Sequence, residues 1–496
     1  MLKRSTGIAL IALVATATVG AQDASRVIAA SSKAMGAVGL TSITYSGTAA
    51  DINFLQSRNI DRPPLRPITN YTRTLSLNEV GSRATGATNN QGLFGGAPVP
   101  GNFNQGITPA NTTWTQQLDY WITPWGFLKG AAANAATVRS ASINGARYQV
   151  VSWSPSMKAP SGASYVVNGY INRQNMVERV ETWVEHDMLG DMHVEATYSD
   201  YKDFGGVKVP GRMVQKRGGF TFFDVTVTAA KGNPENVAAL LAPPAPPAGR
   251  AGGAPAGGGA PAGARAGGPG APAAEQPPPS TKLADGVYRI NGAYNSLAVE
   301  FTDYIVVVEA GQNVARGQAI VDEVKKLFPS KPIRYVVNSH PHSDHAGGLA
   351  PLAADGAIIL THHNNKSFFQ RAFNAPRTLV GDALGKTKRI VHVEGFGPKK
   401  IFSDDKHSLE LYYITDNDIE KVHSDGIIVA FLPKEKILFQ ADFTLPAAGA
   451  KPNPFVQSLG ENMGRLKLDY EQYLSVHNTP LQQTRKDLMT ATGASY

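Results

Sequence analysis

The 496-residue chain has no cysteine. That excludes disulfides, thiol nucleophiles and thiolate metal ligands. Any bound metal must therefore be held by nitrogen and oxygen. Charge is also sparse, at 17% of residues. The formal balance of +8 is scattered apart from small groups such as Lys386-Thr-Lys-Arg389 and Lys399-Lys400. No basic stripe is interleaved with aromatics, so the charge reads as solubility and mild attraction to anionic substrates, with no nucleic-acid footprint. Long apolar runs are missing too. The uncharged stretch Thr6 to Ala21 follows Lys3-Arg4 and ends Val19-Gly20-Ala21. It falls short of the ~20 residues of a spanning helix and reads as a secretory signal peptide over residues 1–21. The mature chain is expected in the periplasm or outside the cell, without a transmembrane segment. Removing Lys3 and Arg4 takes the formal charge from +8 to +6.

At this length two or three domains are expected. The clearest boundary is Ala242 to Ser280, almost entirely Ala, Pro and Gly. Such a stretch cannot bury enough surface to offset its ordering and is expected to be a mobile tether. It lets the flanking domains move independently or be packed down. Before it, residues 25–240 read as a β-rich accessory domain. Ser25 to Met35 suits a short first helix. Val194, Ala196 and Tyr198 alternate with polar residues, as do Phe223, Val225 and Val227, which predicts a sheet with one wet face. Lys202-Asp-Phe-Gly-Gly206 and Arg217-Gly-Gly219 are natural turns. Residues 86–112, rich in Asn, Gly, Pro and Thr, predict a long mobile surface insertion. The rhythm from Tyr198 to Pro210 and the later Phe223-Asp-Val-Thr-Val resemble the last strands of lipoprotein-carrier-like half-barrels.

After the tether, residues 281–490 combine short strands with a helix over Gln318 to Leu327, a pattern of sheets covered by helices. The strand-like Tyr335 to Val337 leads into His340, His342, Asp344 and His345, then two glycines. Alternation starts His340, His342 and Asp344 on one side of the chain. The whole chain has 11 His, and three fall here. Imidazoles and carboxylates at this density suit zinc or a similar borderline metal. Downstream, His423 precedes the strand-like Ile427 to Phe431, and Asp442 follows the returning Ile437 to Phe439. Pairing about the Lys434–Glu435 turn brings His423 and Asp442 to one end of a hairpin. His477 follows the strand-like Tyr473 to Val476.

His340-Pro-His342-Ser-Asp344-His345 is the HxHxDH pattern. The segment resembles the metallo-β-lactamase-fold hydrolases, a superfamily that includes class B β-lactamases, glyoxalase II and acyl-homoserine lactonases. The resemblance implies an αββα sandwich with metals at one edge. It implies a first site of His340, His342 and His423, and a second of Asp344, His345 and His477, with Asp442 bridging. Two zinc ions ~3.5–4 Å apart would then hold a hydroxide that attacks a carbonyl or phosphoryl centre. Asp344 would orient it and shuttle the proton. Two departures stand out. Glu309 occupies the place of the family's usual Asp after an early strand, with a structural role expected. Ser475-Val-His-Asn478 lacks the glycine usual around the last histidine.

These residues predict an exported binuclear zinc hydrolase acting on a small-molecule ester, lactone or amide. A β-lactamase proper, an iron-dependent sulfur dioxygenase and a non-catalytic envelope lipid- or ligand-binding protein are the alternatives. His362, His363, Asn364 and Lys366 are candidate substrate contacts, though exposed polar residues are the simpler reading. Substrate identity and oligomeric state stay open.

Overall fold

The computed structural model describes residues 24–90, 99–243, 280–447, 449–477 and 483–495. The signal-peptide reading over 1–21 and residues 244–279 of the tether lie outside them.

The first half is an eleven-stranded sheet of antiparallel neighbours. Ser42–Asp51 and Phe220–Gly232, the two ends of this half, pair at its middle. From there one wing runs outward through Arg66–Ser76 and Gly81–Asn90 to Val99–Ile107. The other runs through Arg212–Arg217, Gly190–Ser199, Val177–His186, Val167–Ile171 and Ala146–Trp153 to Thr137–Ile143. The predicted alternation is visible in Gly190–Ser199, where Val194, Ala196 and Tyr198 are buried. Period two allows one face to be filled while the other stays wet. The filled face carries the helices Trp114–Trp121 and Pro124–Ala133. Thr113 and Thr123 cap their N-termini, accepting from the Gln116 and Gly126 amides. Gly169 is required beneath the second helix, because an added Cβ would sit 2.1 Å from the Phe127 ring.

Two expectations for this half are corrected. Residues 86–112 are not one irregular insertion: Gly81–Asn90 and Val99–Ile107 pair in antiparallel register from Ser82↔Ile107 to Asn90↔Val99. Backbone pairing at a sheet edge overrides the weak strand preference of Asn and Gly. Lys202–Phe204 is likewise a short strand paired with Val207–Val209, and only Gly205-Gly206 turn.

The second half has a seven-stranded sheet from Ser280–Ala284 to Val393–Phe396 and a six-stranded sheet from Lys399–Ser403 to Gln483–Thr484. Their facing sides share one apolar core, including Leu297, Val308, Val337, Leu411, Ala430 and Phe439. Val314–Leu327, Leu349–Asp355 and His363–Phe373 cover the outside of the first sheet. Pro454–Leu466 and Arg485–Thr492 cover the second. This is the αββα sandwich. The expected helix over Gln318 to Leu327 begins earlier, at Val314, where Asn313 caps it.

The two halves are packed together. The Asp191 carboxylate accepts from the Thr378 and Leu379 amides, each at 2.8 Å, and the Asp191 amide donates to the Pro376 carbonyl at 2.7 Å. Asp187 accepts from the Val314 amide at 3.3 Å. One buried apolar cluster runs from the eleven-stranded sheet into the helices beside it. Among the described residues no helix is long and apolar enough to cross a membrane.

Candidate metal centre

Each element delivers its side chain for a local reason. The strand Ile333–Val337, buried at Ile333, Val336 and Val337, leads to Asn338, Ser339 and His340, all buried. His342 then stands at the N-cap position of the helical turn Ser343–Ala346, with its side chain making no capping bond. Strand alternation alone would send Asp344 and His345 to opposite sides; the helical turn points both at one centre. Gly347 and Gly348 follow because an added Cβ would lie 2.2 Å from the Gln312 carbonyl oxygen and 2.0 Å from that of Ala310.

Downstream, Ile428–Leu432 and Ile437–Gln440 pair with Ala430 opposite Phe439. Continuing that register sets Asp442 opposite Ile427. Asp442 adopts φ +62°, a left-handed conformation that Asp tolerates better than most residues. Gln472–Ser475 runs parallel to Ile437–Gln440, with Ser475 beside Gln440. Asp442 and His477 therefore emerge from adjacent strands at the same end. His477 is bridged to Tyr294, and the Asn295 amide donates to the Val476 carbonyl at 2.7 Å. That anchorage holds the last histidine in a segment without glycine.

The structure brings all seven sequence-predicted residues together. Their donor atoms form three groups, each within 4.8 Å: His340, His342 and His423; His340, His345 and Asp442; Asp344, His345 and His477. Asp442 sits between the outer two. Its Oδ2 lies 2.9 Å from His345 Nε2, 3.3 Å from His340 Nε2 and 3.7 Å from His423 Nε2. Its Oδ1 lies 2.9 Å from His477 Nε2. His423 Nε2 faces His342 Nδ1 at 3.1 Å.

A ring of outer partners decides which atoms face inward. Glu309, fully buried at φ +74°, accepts from the Ser339 amide at 2.7 Å through Oε1. Its Oε2 lies 2.6 Å from His345 Nδ1. The carboxylate thereby presents His345 Nε2 to the centre, a more specific role than the structural one expected for it. Ser339 Oγ lies 2.9 Å from His340 Nδ1. His342 Nε2 lies 3.2 Å from the Ser57 carbonyl oxygen and can only donate to it, so Nδ1 faces inward. Gln56 Nε2 donates to Asp344 Oδ1 at 2.7 Å. The Tyr294 ring packs edge-on against His345 and His477, with centroids 5.9 and 5.0 Å apart. Gln56, Ser57 and Tyr294 carry no motif and were invisible in the sequence; only their placement beside the ligand set identifies them.

The electrostatics are those of a buried mixed-charge cluster. Burial, then His345 and His342, push His340 well below its ordinary value. Burial and the neighbouring His423 push His342 down to about 3. Burial would lower His345 too, but Asp442, Asp344 and Glu309 outweigh it and hold its proton tightly. Burial would raise Asp442, but His345, His423 and His340 hold it well below the carboxylate range. A cation among these groups would replace the proton as their shared counter-charge.

The donor set fits such a cation. His340 Nε2, His345 Nε2 and Asp442 Oδ2 are buried, and although Oδ2 lies 3.3 and 2.9 Å from the two nitrogens, none of the three makes a well-directed hydrogen bond among the described residues. Orphaned buried polar atoms are costly, and here they converge on one point. His340 and His345 are 0% exposed, whereas the Asp344 and His477 side chains are 23% and 30% exposed. Solvent therefore reaches the cluster along the Asp344–His477 edge, where Tyr294 stands.

Of the candidate substrate contacts, His362 and His363 are engaged elsewhere, and Asn364 and Lys366 are exposed. His362 stacks on Tyr413 with ring centroids 4.1 Å apart and caps His363–Phe373. His363 Nδ1 lies 3.1 Å from the Phe396 carbonyl oxygen. The neighbouring Asn365 donates to the Asp425 carbonyl at 3.0 Å, supporting the loop that carries His423.

Residues 289–460 match the family model described as the metallo-beta-lactamase superfamily. The alpha subunit of a 2,4-dinitroanisole O-demethylase from Nocardioides sp. strain JS1661 is 26% identical over 195 residues. That match takes in 38% of this chain, which spans about half (53%) of the relative's length. Among solved structures, a metallo-beta-lactamase from Pontibacter korlensis aligns at 18% identity and TM-score 0.32, covering 43% of this chain and 97% of that one. The metallo-beta-lactamase FIM-1 from Pseudomonas aeruginosa aligns at 17% identity and TM-score 0.32, covering 44% and 95%. Over residues 289–460 the chain thus matches the metallo-beta-lactamase superfamily, whose members are generally metal-dependent hydrolases.

Proposed function

We propose that the chain is a binuclear zinc hydrolase that cleaves an ester, lactone or amide bond in a small molecule. The observation that supports this best is the convergence of the orphaned His340 Nε2, His345 Nε2 and Asp442 Oδ2 between two three-residue groups. His340, His342 and His423 would hold one ion, and Asp344, His345 and His477 the other, with Asp442 Oδ2 between them. A zinc pair supplies Lewis acidity and a nucleophile at neutral pH. The protein's own part is positional. Glu309, Ser339 and the Ser57 carbonyl turn the three loop imidazoles so that Nε2, Nε2 and Nδ1 face inward. Asp344 keeps Oδ2 on the inner side while Gln56 occupies Oδ1. Asp344 is also partly open to solvent, so it can hand a proton between the buried centre and the substrate's leaving group. The absence of cysteine removes a thiolate ligand from the bridging position, which Asp442 takes. Export through a signal peptide over residues 1–21 belongs to this proposal.

The deciding experiment measures metal by elemental mass spectrometry on the purified full chain. Nitrocefin, a lactone and ester panel and 2,4-dinitroanisole, named for the Nocardioides relative, are assayed on the same sample. About two zinc per chain, lost together with turnover on chelation and restored by zinc, is the expected result. About one iron would favour sulfur oxidation. No metal after reconstitution would leave the binding-protein reading standing.

A further inference from the structure

The first half of the chain reaches into the metal centre. Residues 52–61 leave the central strand Ser42–Asp51 and lie across both loops that carry the ligand set. Against the first loop, the Ser343 amide donates to the Leu55 carbonyl at 3.0 Å, and Gln56 Nε2 bonds Ser343 Oγ at 2.9 Å and Asp344 Oδ1 at 2.7 Å. The Ser57 carbonyl receives His342 Nε2. Against the second, the Asp425 amide donates to the Arg58 carbonyl at 2.9 Å, and Asn59 Nδ2 bonds Asp425 Oδ2 at 2.9 Å. Arg58 donates to the Ile419 carbonyl at 2.9 Å. Phe54, Leu55 and Ile60 are buried, and Leu55 takes φ +55°. That left-handed residue turns the chain so that the Leu55 and Ser57 carbonyls and the Gln56 amide all meet the same loop.

We infer that the segment 52–61 is a working part of the centre, with Gln56 a positioning residue for Asp344 and the Ser57 carbonyl a positioning group for His342. The inference rests on the binuclear reading above. Its physical basis is that a ligand's orientation and tautomer are set by the hydrogen bond its far side makes. His342 can offer Nδ1 inward only if Nε2 carries the proton, and the Ser57 carbonyl is the group that fixes this. Asp344 has two equivalent oxygens, and the Gln56 amide selects which of them points outward. Without it the carboxylate can rotate, and the second group of donors loses its arrangement while the first keeps its own. The eleven-stranded sheet therefore supplies part of the ligand support as well as a packing face. A metal domain cut free of it would lack the groups that orient two of its ligands.

The test uses the full chain and reads metal affinity directly. Metal-free parent, Gln56→Ala and Gln56→Met are titrated with zinc against a chromophoric chelator, and each metal-free thermal midpoint is recorded. Gln56→Met keeps the length of the side chain and loses the donor. Both variants should match the parent's metal-free midpoint and first binding step, while the second equivalent binds about 10–100-fold more weakly, the usual effect of losing an outer-shell partner. Equal weakening in the two would tie the loss to the donor. Parent-like binding of both equivalents in either variant overturns the inference while leaving the binuclear reading intact. A parent that binds fewer than two equivalents overturns that reading and this inference with it.

Discussion

Replacing Glu309 by glutamine exchanges one oxygen for an amide at a fully buried position and asks whether the outer partners matter. The native carboxylate accepts twice, from the Ser339 amide at 2.7 Å and from His345 Nδ1 at 2.6 Å. Glutamine can accept with only one terminal atom. If its oxygen keeps Ser339, its NH2 faces His345 Nδ1, which must then give up its proton and become an acceptor. The proton moves to Nε2, the atom 2.9 Å from Asp442 Oδ2, and blocks it as a ligand. If the oxygen instead keeps His345, the NH2 opposes the buried Ser339 N–H and leaves it unsatisfied, at about 1–3 kcal/mol. The first arrangement should weaken metal binding by about 10–100-fold, equivalent to about 1.4–2.7 kcal/mol. Either way a loss is expected, and the two arms separate it: zinc affinity by chelator competition reads the first, and metal-free urea unfolding reads the second. A Glu309→Gln chain with parental zinc affinity and parental unfolding midpoint would refute the orienting role.

Other perturbations act outside the candidate metal ligands. Asp119 is clasped by Arg217 at 2.6 Å and by Gln105 and Gln215 at 2.6 and 3.0 Å. Asp119→Ala would strand Arg217 and remove a nearby counter-charge from the buried Arg73, which keeps its bonds to Ser82 and the Asp119 carbonyl, costing about 3–5 kcal/mol, readable by urea unfolding. Burial would raise the Asp119 carboxyl, but Arg217 and Arg73 hold it below its ordinary range. Its contribution is therefore present above that range and lost as pH falls through the lowered folded value. A parent chain whose stability over that acid range matches the variant's slope would contradict this. At the junction of the halves, burial, then Arg377 and Arg217, push His186 down to about 4, while burial pushes Asp187 up to about 6. Between about pH 4 and 6 the unfolded chain carries the extra proton on His186 and the folded chain carries it on Asp187, so their slopes oppose. Asp187→Asn removes one of them, and stability should then rise with pH more steeply than in the parent, by up to about 1.4 kcal/mol per pH unit. Unfolding midpoints across that range check the sign.

Much of this protein is determined by local sequence. The alternation in Gly190–Ser199 requires a strand with one buried face. The cluster from His340 to His345 sets four candidate metal-binding side chains within six positions. The turn between Ile428–Leu432 and Ile437–Gln440 fixes a register, and the register alone sends His423 and Asp442 to one end of a hairpin. These inferences work because period, turn length and ligand spacing act over a few residues. The paired strands of residues 81–107 defeated local reading, since an Asn- and Gly-rich segment carries little intrinsic strand preference and was set by its neighbour across the ladder. The roles of Gln56 and Ser57 were beyond it altogether. They lie 288 and 285 residues from their partners Asp344 and His342, and Ser57 acts through a carbonyl that every residue possesses. Glu309 was noticed only as a departure, because its two hydrogen bonds depend on a left-handed backbone and a buried cleft that exist once the sheets have packed. Ligand identity was thus a property of the sequence, while ligand orientation belonged to the tertiary structure, because a hydrogen bond between distant segments has no local signature.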